Sequence, residues 1–107
     1  MKKLFIEFFG TYFLVLIIGL SSGNPIAVGF GLMVLVYTGA HISGAHYNPA
    51  VTLALFLQKE ISALDSVKYV ISQIVGSTLA ALSMYLMNTS MQVQPVLGDS
   101  VYPIFFS

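Results

Sequence analysis

The chain has 107 residues, of which 57% are hydrophobic and only 7% are charged, and its formal net charge is zero. Soluble domains carry about 25% charged residues, so this composition excludes an ordinary soluble protein. Four lysines without arginine provide no basic face for phosphates, which excludes nucleic acid as a partner. The absence of cysteine excludes disulfides, iron–sulfur clusters and thiol catalysis.

Two long stretches, residues 8–58 and 69–98, contain no Asp, Glu, Lys or Arg. Apolar stretches of about 18 or more residues without charges are typical of transmembrane helices. We therefore predict an all-α membrane protein, embedded in a lipid bilayer, with three transmembrane helices and one re-entrant half-helix. The predicted spans cover about residues 4–20, 26–40 and 63–88.

Turn and capping residues set the limits of these spans. Ser21-Ser22-Gly23 ends the first span, and Asn24-Pro25 begins the second, because Asn is a good N-cap and Pro fits the first helical turn. Ser62 and Asp65 resemble a capping box before the third span. Residues 89–107 follow it, and we predict for them an extracellular tail or a truncated connecting loop.

The re-entrant segment is predicted at residues 41–57. A polar, glycine-bearing stretch, 41–47, is followed by a second cap and proline, Asn48-Pro49, and by eight apolar residues, 50–57. Eight helical residues extend about 12 Å, whereas the hydrocarbon layer is about 30 Å thick. A segment too apolar for water and too short to cross fits a re-entrant loop that is buried in protein or lines a watery cavity. A buried cytoplasmic hairpin or an interfacial helix is the alternative.

The lysines predict the orientation. With three spans and one re-entrant loop, all four lysines fall on one side of the membrane, which the positive-inside rule makes the cytoplasmic side. We expect a cytoplasmic N-terminus and an external C-terminus, in the plasma membrane. The lysines are Lys2, Lys3, Lys59 and Lys68.

Small residues and one acid mark the predicted spans. Ser72, Gly76 and Ala80 recur at every fourth position, a stripe that lets another helix approach closely. Glu7 lies inside the first span, and an acid in a membrane span is by default a functional candidate. One interpretation makes Glu7 the proton carrier of a pump.

Residues 41–52 read H-I-S-G-A-H-Y-N-P-A-V-T, which closely resembles the first signature loop of the aquaporin (major intrinsic protein) family. Three further matches support the resemblance: Glu7-x-x-x-Thr11, Phe30-Gly31-Leu32 and Gln73-x-x-Gly76. The resemblance covers about residues 4–88, the first of that family's two inverted repeats. It implies a first-repeat domain at 1–88, half of an aquaporin-like right-handed helical bundle.

The residues of the signature also make physical sense by themselves. Asn48 can cap the short helix through its side-chain oxygen, which leaves its NH₂ group free to donate a hydrogen bond. Pro49 presets the first helical turn, and Ala50 is small enough for two half-helices to meet. The helix N-terminus carries about half a positive charge, which repels cations and tolerates neutral solutes.

The resemblance also assigns roles to the surrounding residues. It implies that the carboxylate of Glu7 accepts hydrogen bonds from loop N–H groups, that His46 lies beside the cytoplasmic vestibule, and that Phe30 narrows the extracellular filter. The backbone lining the cytoplasmic half of the pore would come from Ser43, Gly44, Ala45 and Tyr47. His41 and His46 have no neighbouring carboxylate or thiol, and Ser43 and His46 have no orienting acid, so we expect neither a metal site nor catalysis.

The function expected from the resemblance is passive flow of water, with small neutral solutes such as glycerol, through a pore that excludes ions and protons. No enzymatic activity and no cofactor are expected. The filter arginine of the family's second repeat has no counterpart, since Val51 follows Ala50. We therefore expect a second half-channel, as a missing C-terminal repeat or a partner chain. The resemblance also implies a homotetramer. The alternatives are a non-conducting membrane subunit or fragment, and a half-size transporter coupled through Glu7.

Overall fold

The structure is a computed structural model that describes the backbone of residues 1–93 and the side chains of residues 1–88. Within this range the regular elements are four α-helices: α1 (Lys2–Leu20), α2 (Pro25–Ser43), α3 (Pro49–Leu57) and α4 (Ala63–Val93). Helix α4 continues five residues past the predicted end of the third span. Residues 94–107, the rest of the predicted tail, lie outside the described residues.

The largest difference from the sequence-based limits is at the end of α2. This helix includes residues 41–43, which we expected in the loop, so the loop shortens to residues 44–48. Gly44 ends the helix in a left-handed conformation at φ 88°, and its N–H donates to the carbonyl of Ala40. Glycine adopts this conformation without steric cost, so the helix ends at the glycine and continues through the polar residues before it.

Helices α2 and α3 begin in the same way, with an asparagine cap followed by proline. Asn24 Oδ1 accepts hydrogen bonds from the N–H groups of Ile26 at 2.9 Å and Ala27 at 3.1 Å. Asn48 Oδ1 accepts from the N–H of Ala50 at 2.8 Å. Each side chain satisfies donors that have no partner within the helix, so both Asn-Pro pairs are genuine helix starts.

Helices α1 and α4 lie parallel, with α2 antiparallel to both. Glu7 bonds to Gln73 and Tyr12 bonds to Ser83, at 2.8 Å each. Residue numbers therefore rise in the same direction along α1 and α4, so the two helices are parallel. In contrast, Ile6 contacts α2 near its end and Ile17 contacts it near its middle. Helices α1, α2 and residues Ala63–Asn88 of α4 are each long and apolar enough to cross a membrane, which confirms the three predicted spans as apolar helices.

This topology gathers the lysines at one end of the bundle. Lys2 and Lys3 begin α1, Lys59 lies in the turn before α4, and Lys68 lies in the second turn of α4. The opposite end of the described bundle, which includes the turn between α1 and α2, carries no charged side chain.

The interior of the described bundle is mainly polar. Its buried apolar residues are Tyr47, Tyr69 and Ala80, whereas five polar residues are buried with at most 5% of their surface exposed: Glu7, Thr11, Ser43, Thr52 and Gln73. Large apolar side chains are exposed along all four helices, as expected of surfaces that face lipid or another protein rather than water.

The small-residue stripe of α4 lies partly in the contact with α1. Gly76 and Ala80 are buried and Ser72 is half-buried. A Cβ atom at Gly76 would lie 2.5 Å from the backbone oxygen of Phe8, so the two helix backbones touch at this glycine. Close approach through small residues is how membrane helices gain packing contacts.

We expect Gly76→Ala to destabilise the bundle by about 1–3 kcal/mol, the usual cost of forcing an added methyl group into a packed contact. The matched control is Gly29→Ala in α2, because a Cβ at Gly29 meets no described atom within 4 Å. Thermal unfolding in detergent, followed by circular dichroism, measures both. Equal unfolding temperatures for the two variants would show that α1 and α4 do not touch at Gly76.

Candidate functional site

The carboxylate of Glu7 is the centre of the buried polar network. Its Oε2 accepts hydrogen bonds from Ser43 Oγ at 2.7 Å and from the N–H of His46 at 3.1 Å. Its Oε1 accepts from the N–H of Tyr47 at 2.9 Å and from Gln73 Nε2 at 2.8 Å. A carboxylate offers about four acceptor sites, and here α2, the loop and α4 fill them. The two loop N–H bonds have the geometry that the resemblance implies.

These bonds hold a loop whose backbone is unusual. Ala45 and Tyr47 have positive φ values of 53° and 57°, a conformation that costs non-glycine residues free energy. Ser43 stabilises the turn, since its Oγ accepts from the N–H of Ala45 at 3.1 Å and its carbonyl accepts from Tyr69 OH at 2.7 Å. The loop conformation is therefore maintained by tertiary contacts with α1 and α4.

Tyr47 anchors the loop through its side chain, a role that the sequence analysis missed. The ring contacts the positions where Gly10 of α1 and Gly39 of α2 would carry a Cβ, and only 3% of the residue is exposed. Its hydroxyl donates to the carbonyl of Leu35 at 2.7 Å. Gly10 and Gly39 are the sequence features that could have indicated this role, but only the folded chain brings both of them to the Tyr47 ring.

A second chain of hydrogen bonds connects Gln73 to His46. Gln73 Nε2 lies 2.9 Å from Thr52 Oγ1, and Thr52 Oγ1 lies 2.9 Å from His46 Nδ1. The His46 ring also packs on the ring of Tyr69, with the centroids 4.8 Å apart. Thr52 and Gln73 belong to the motifs quoted above, but nothing in those motifs indicated that the two side chains bond to each other.

The first turn of α3 lies at the surface of the described chain. Asn48, Pro49 and Ala50 are exposed, whereas Ala45 and His46 are half-buried and Gly44 is exposed. Among the described residues, Asn48 Nδ2 has no hydrogen-bond partner, because the cap uses only the oxygen. The structure thus presents a free amide donor and a helix N-terminus together on one open face.

Phe30 lies apart from this group. It is 62% exposed and precedes the end of α2 by 13 residues, a distance of about 20 Å along the helix axis. The structure therefore does not bring Phe30 to the loop, and its role in a filter stays a prediction.

Three apolar helices of membrane-spanning length around a polar interior define an integral membrane protein. In the described residues no group of three or more His, Cys, Asp or Glu side chains could hold a metal ion.

The major intrinsic protein family model matches residues 1–104, and the chain therefore belongs to this family. It is 41% identical to Aquaporin NIP1-1 of Arabidopsis thaliana over 81% of this chain and 34% of that protein. It is 34% identical to Glycerol uptake facilitator protein-like 6 of Lactiplantibacillus plantarum over 96% of this chain and 52% of that protein. Aquaporin Z of Photorhabdus laumondii is 40% identical over 59% of the chain and 27% of its own length. No match to a solved structure reached significance.

We expect Glu7→Gln to release one side of the loop. The two loop N–H groups bond to different carboxylate oxygens, so the single oxygen of Gln leaves one of them without an acceptor. The new NH₂ group fits beside Ser43 Oγ, which can accept, better than beside the NH₂ of Gln73. Amide hydrogen exchange at His46 should then accelerate about tenfold or more, since an unpaired buried donor costs about 1–3 kcal/mol.

Glu60→Gln is the matched control, because Glu60 is an exposed acid in the turn before α4. It should leave the exchange rate of His46 unchanged. Unchanged exchange in both variants would contradict the role of Glu7 as the acceptor that holds the loop.

Proposed function

We propose that this chain forms one half of a membrane channel that passes water and small neutral solutes such as glycerol. In this proposal α3 is a re-entrant half-helix, and residues 1–88 form the first repeat of the channel. The observation that carries the proposal is the free amide of Asn48 at the exposed N-terminus of α3. This first turn offers a solute a hydrogen-bond donor and a positive helix end together.

The position of α3 along α4 supports a re-entrant half-helix. Phe56 shares a groove with Ala63 at the beginning of α4, whereas Thr52 bonds to Gln73 ten residues further along. The nine residues of α3 extend about 13 Å from the Lys59 end. In a layer about 30 Å thick, the tip at Asn48 would lie near the middle.

The chemistry of the tip favours neutral solutes over cations. The helix N-terminus carries about half a positive charge, and Asn48 Nδ2 can only donate hydrogen bonds. A water or alcohol oxygen can accept from this donor, whereas a cation is repelled and would also have to lose its hydration. A passive pore of this kind needs neither a covalent step nor a cofactor.

Two observations support a requirement for a second half-channel. The chain spans about a third to a half of the length of the first two relatives reported above, and the first turn of α3 is open on one side. That open side would face the partner half, and the complete channel would form a homotetramer. The lysine-bearing end would be cytoplasmic, by the positive-inside rule.

We expect flow through a chimera in which residues 1–88 replace the matching half of Aquaporin Z from Photorhabdus laumondii. Reconstituted vesicles should shrink faster than empty vesicles after an osmotic step. Asn48→Leu should return the rate to that of empty vesicles, because a bulky apolar side chain replaces the donor at the tip.

The matched control is Asn24→Leu, which removes the corresponding Asn-Pro cap of α2 at the opposite end of the bundle. It should preserve the flow. A correctly folded chimera that shrinks no faster than empty vesicles would contradict the channel, and flow that requires a proton gradient would identify a transporter instead.

The orientation can be tested by cysteine labelling, since the chain has no cysteine of its own. A membrane-impermeant maleimide added outside intact cells should label Ser22→Cys, in the turn between α1 and α2. It should label Glu60→Cys, in the turn before α4, only after permeabilisation. In the assembled chimera, Asn48→Cys should react more slowly than Glu60→Cys even in permeabilised cells. Equal rates would place Asn48 at the membrane rim and contradict the re-entrant half-helix.

A further inference from the structure

The orientation of the Gln73 side chain is fixed by its charged neighbour. The atom of this amide that lies 2.8 Å from Glu7 Oε1 must be the nitrogen, because a carboxylate oxygen needs a donor. The second hydrogen of the same NH₂ group is directed at Thr52 Oγ1, 2.9 Å away. Gln73 Oε1 is buried and has no partner among the described residues, so the amide keeps this orientation although its oxygen remains unsatisfied.

The Thr52 hydroxyl then has one proton left to donate. Thr52 is completely buried, and its oxygen already accepts from Gln73. The other hydrogen-bond neighbour of this hydroxyl among the described residues is His46 Nδ1, at 2.9 Å. If Nδ1 carried a proton, it would donate to Thr52 and leave the Thr52 proton buried without an acceptor. If Nδ1 is unprotonated, the two hydrogens of Gln73 Nε2 and the hydroxyl proton of Thr52 all have acceptors.

We propose that Gln73 and Thr52 are positioning residues that hold His46 in the neutral tautomer with its proton on Nε2. Glu7 requires a donor from the Gln73 amide, the amide donates to the Thr52 hydroxyl, and the hydroxyl donates to Nδ1 of the imidazole. The His46 ring also contacts the ring of Tyr69, which is itself held by its hydrogen bond to the carbonyl of Ser43.

The tautomer makes His46 a hydrogen-bond donor on the loop side of its ring. His46 Nε2 lies 3.3 Å from the position where Gly44 would carry a Cβ, and Gly44 is exposed. A solute oxygen that reaches this side would meet an N–H group, as it would at Asn48 Nδ2. This consequence for a solute depends on the proposed channel function, whereas the tautomer itself does not.

The tautomer can be measured by nitrogen NMR on the chain with ¹⁵N-labelled histidine in lipid bilayers, at a pH of about 8, above the ordinary histidine pKa of about 6.5. The chain has two histidines, and His41→Gln assigns the signals of His46. We expect a protonated nitrogen at Nε2 and an unprotonated nitrogen at Nδ1 for His46. A protonated Nδ1 in the wild-type chain would overturn the proposal.

The role of Thr52 is separated from general packing by two substitutions. Thr52→Val keeps the side-chain shape without the hydroxyl, so a measurable share of the Nδ1–H tautomer, as in free histidine, should appear beside the Nε2–H form. Thr52→Ser keeps the hydroxyl and should restore the wild-type spectrum. A Val variant with the wild-type tautomer, or a folded Ser variant with the mixed one, would overturn the assignment to Thr52. If the Val variant does not fold, the wild-type and Ser spectra still decide, because both must show Nε2–H.

Discussion

The bundle depends on one buried carboxylate and the four donors around it. Glu7 is fully buried, and a buried charge is costly unless hydrogen bonds replace its lost hydration. Two of its donors are backbone N–H groups of a loop without regular structure, and these groups have no acceptor within a helix. The acid and the loop therefore satisfy each other's hydrogen bonds.

The helices are arranged to allow this exchange. Because α1 and α4 touch at Gly76, the side chains of Glu7 and Gln73 are close enough to bond. Gly10 and Gly39 leave space for the Tyr47 ring, which fixes the loop from the other side. The small residues thus bring polar groups together as well as helices. This arrangement also disfavours a pump: all four positions on Glu7 are occupied by structural donors.

The sequence predicted the elements better than the contacts between them. The charge-free stretches predicted the three apolar helices, because a helix surface in lipid must lack charged side chains whatever its tertiary contacts. The predicted end of α2, at residue 40, was too early because the helix was assumed to stop at the first polar residue. The helix in fact continues to Ser43 and ends at Gly44. The acceptor role of Glu7 followed from the family resemblance. The anchoring of Tyr47 and the pairing of Thr52 with Gln73 could not be predicted, because they join residues that only folding makes neighbours. The filter role of Phe30, assigned by resemblance alone, stays a prediction.

The order of the Glu7 partners along the chain has a consequence for biogenesis. Ser43, His46 and Tyr47 follow Glu7 by 36 to 40 residues, whereas Gln73 follows by 66. During synthesis, the loop and α3 therefore leave the ribosome before the helix that pairs with Thr52. Until α4 enters the bilayer, the Thr52 hydroxyl lacks its amide donor and α3 lacks the helix on which it packs. Insertion of the third span is thus the step that completes the loop, and a ribosome that stalls before Gln73 would leave α3 without its docking site.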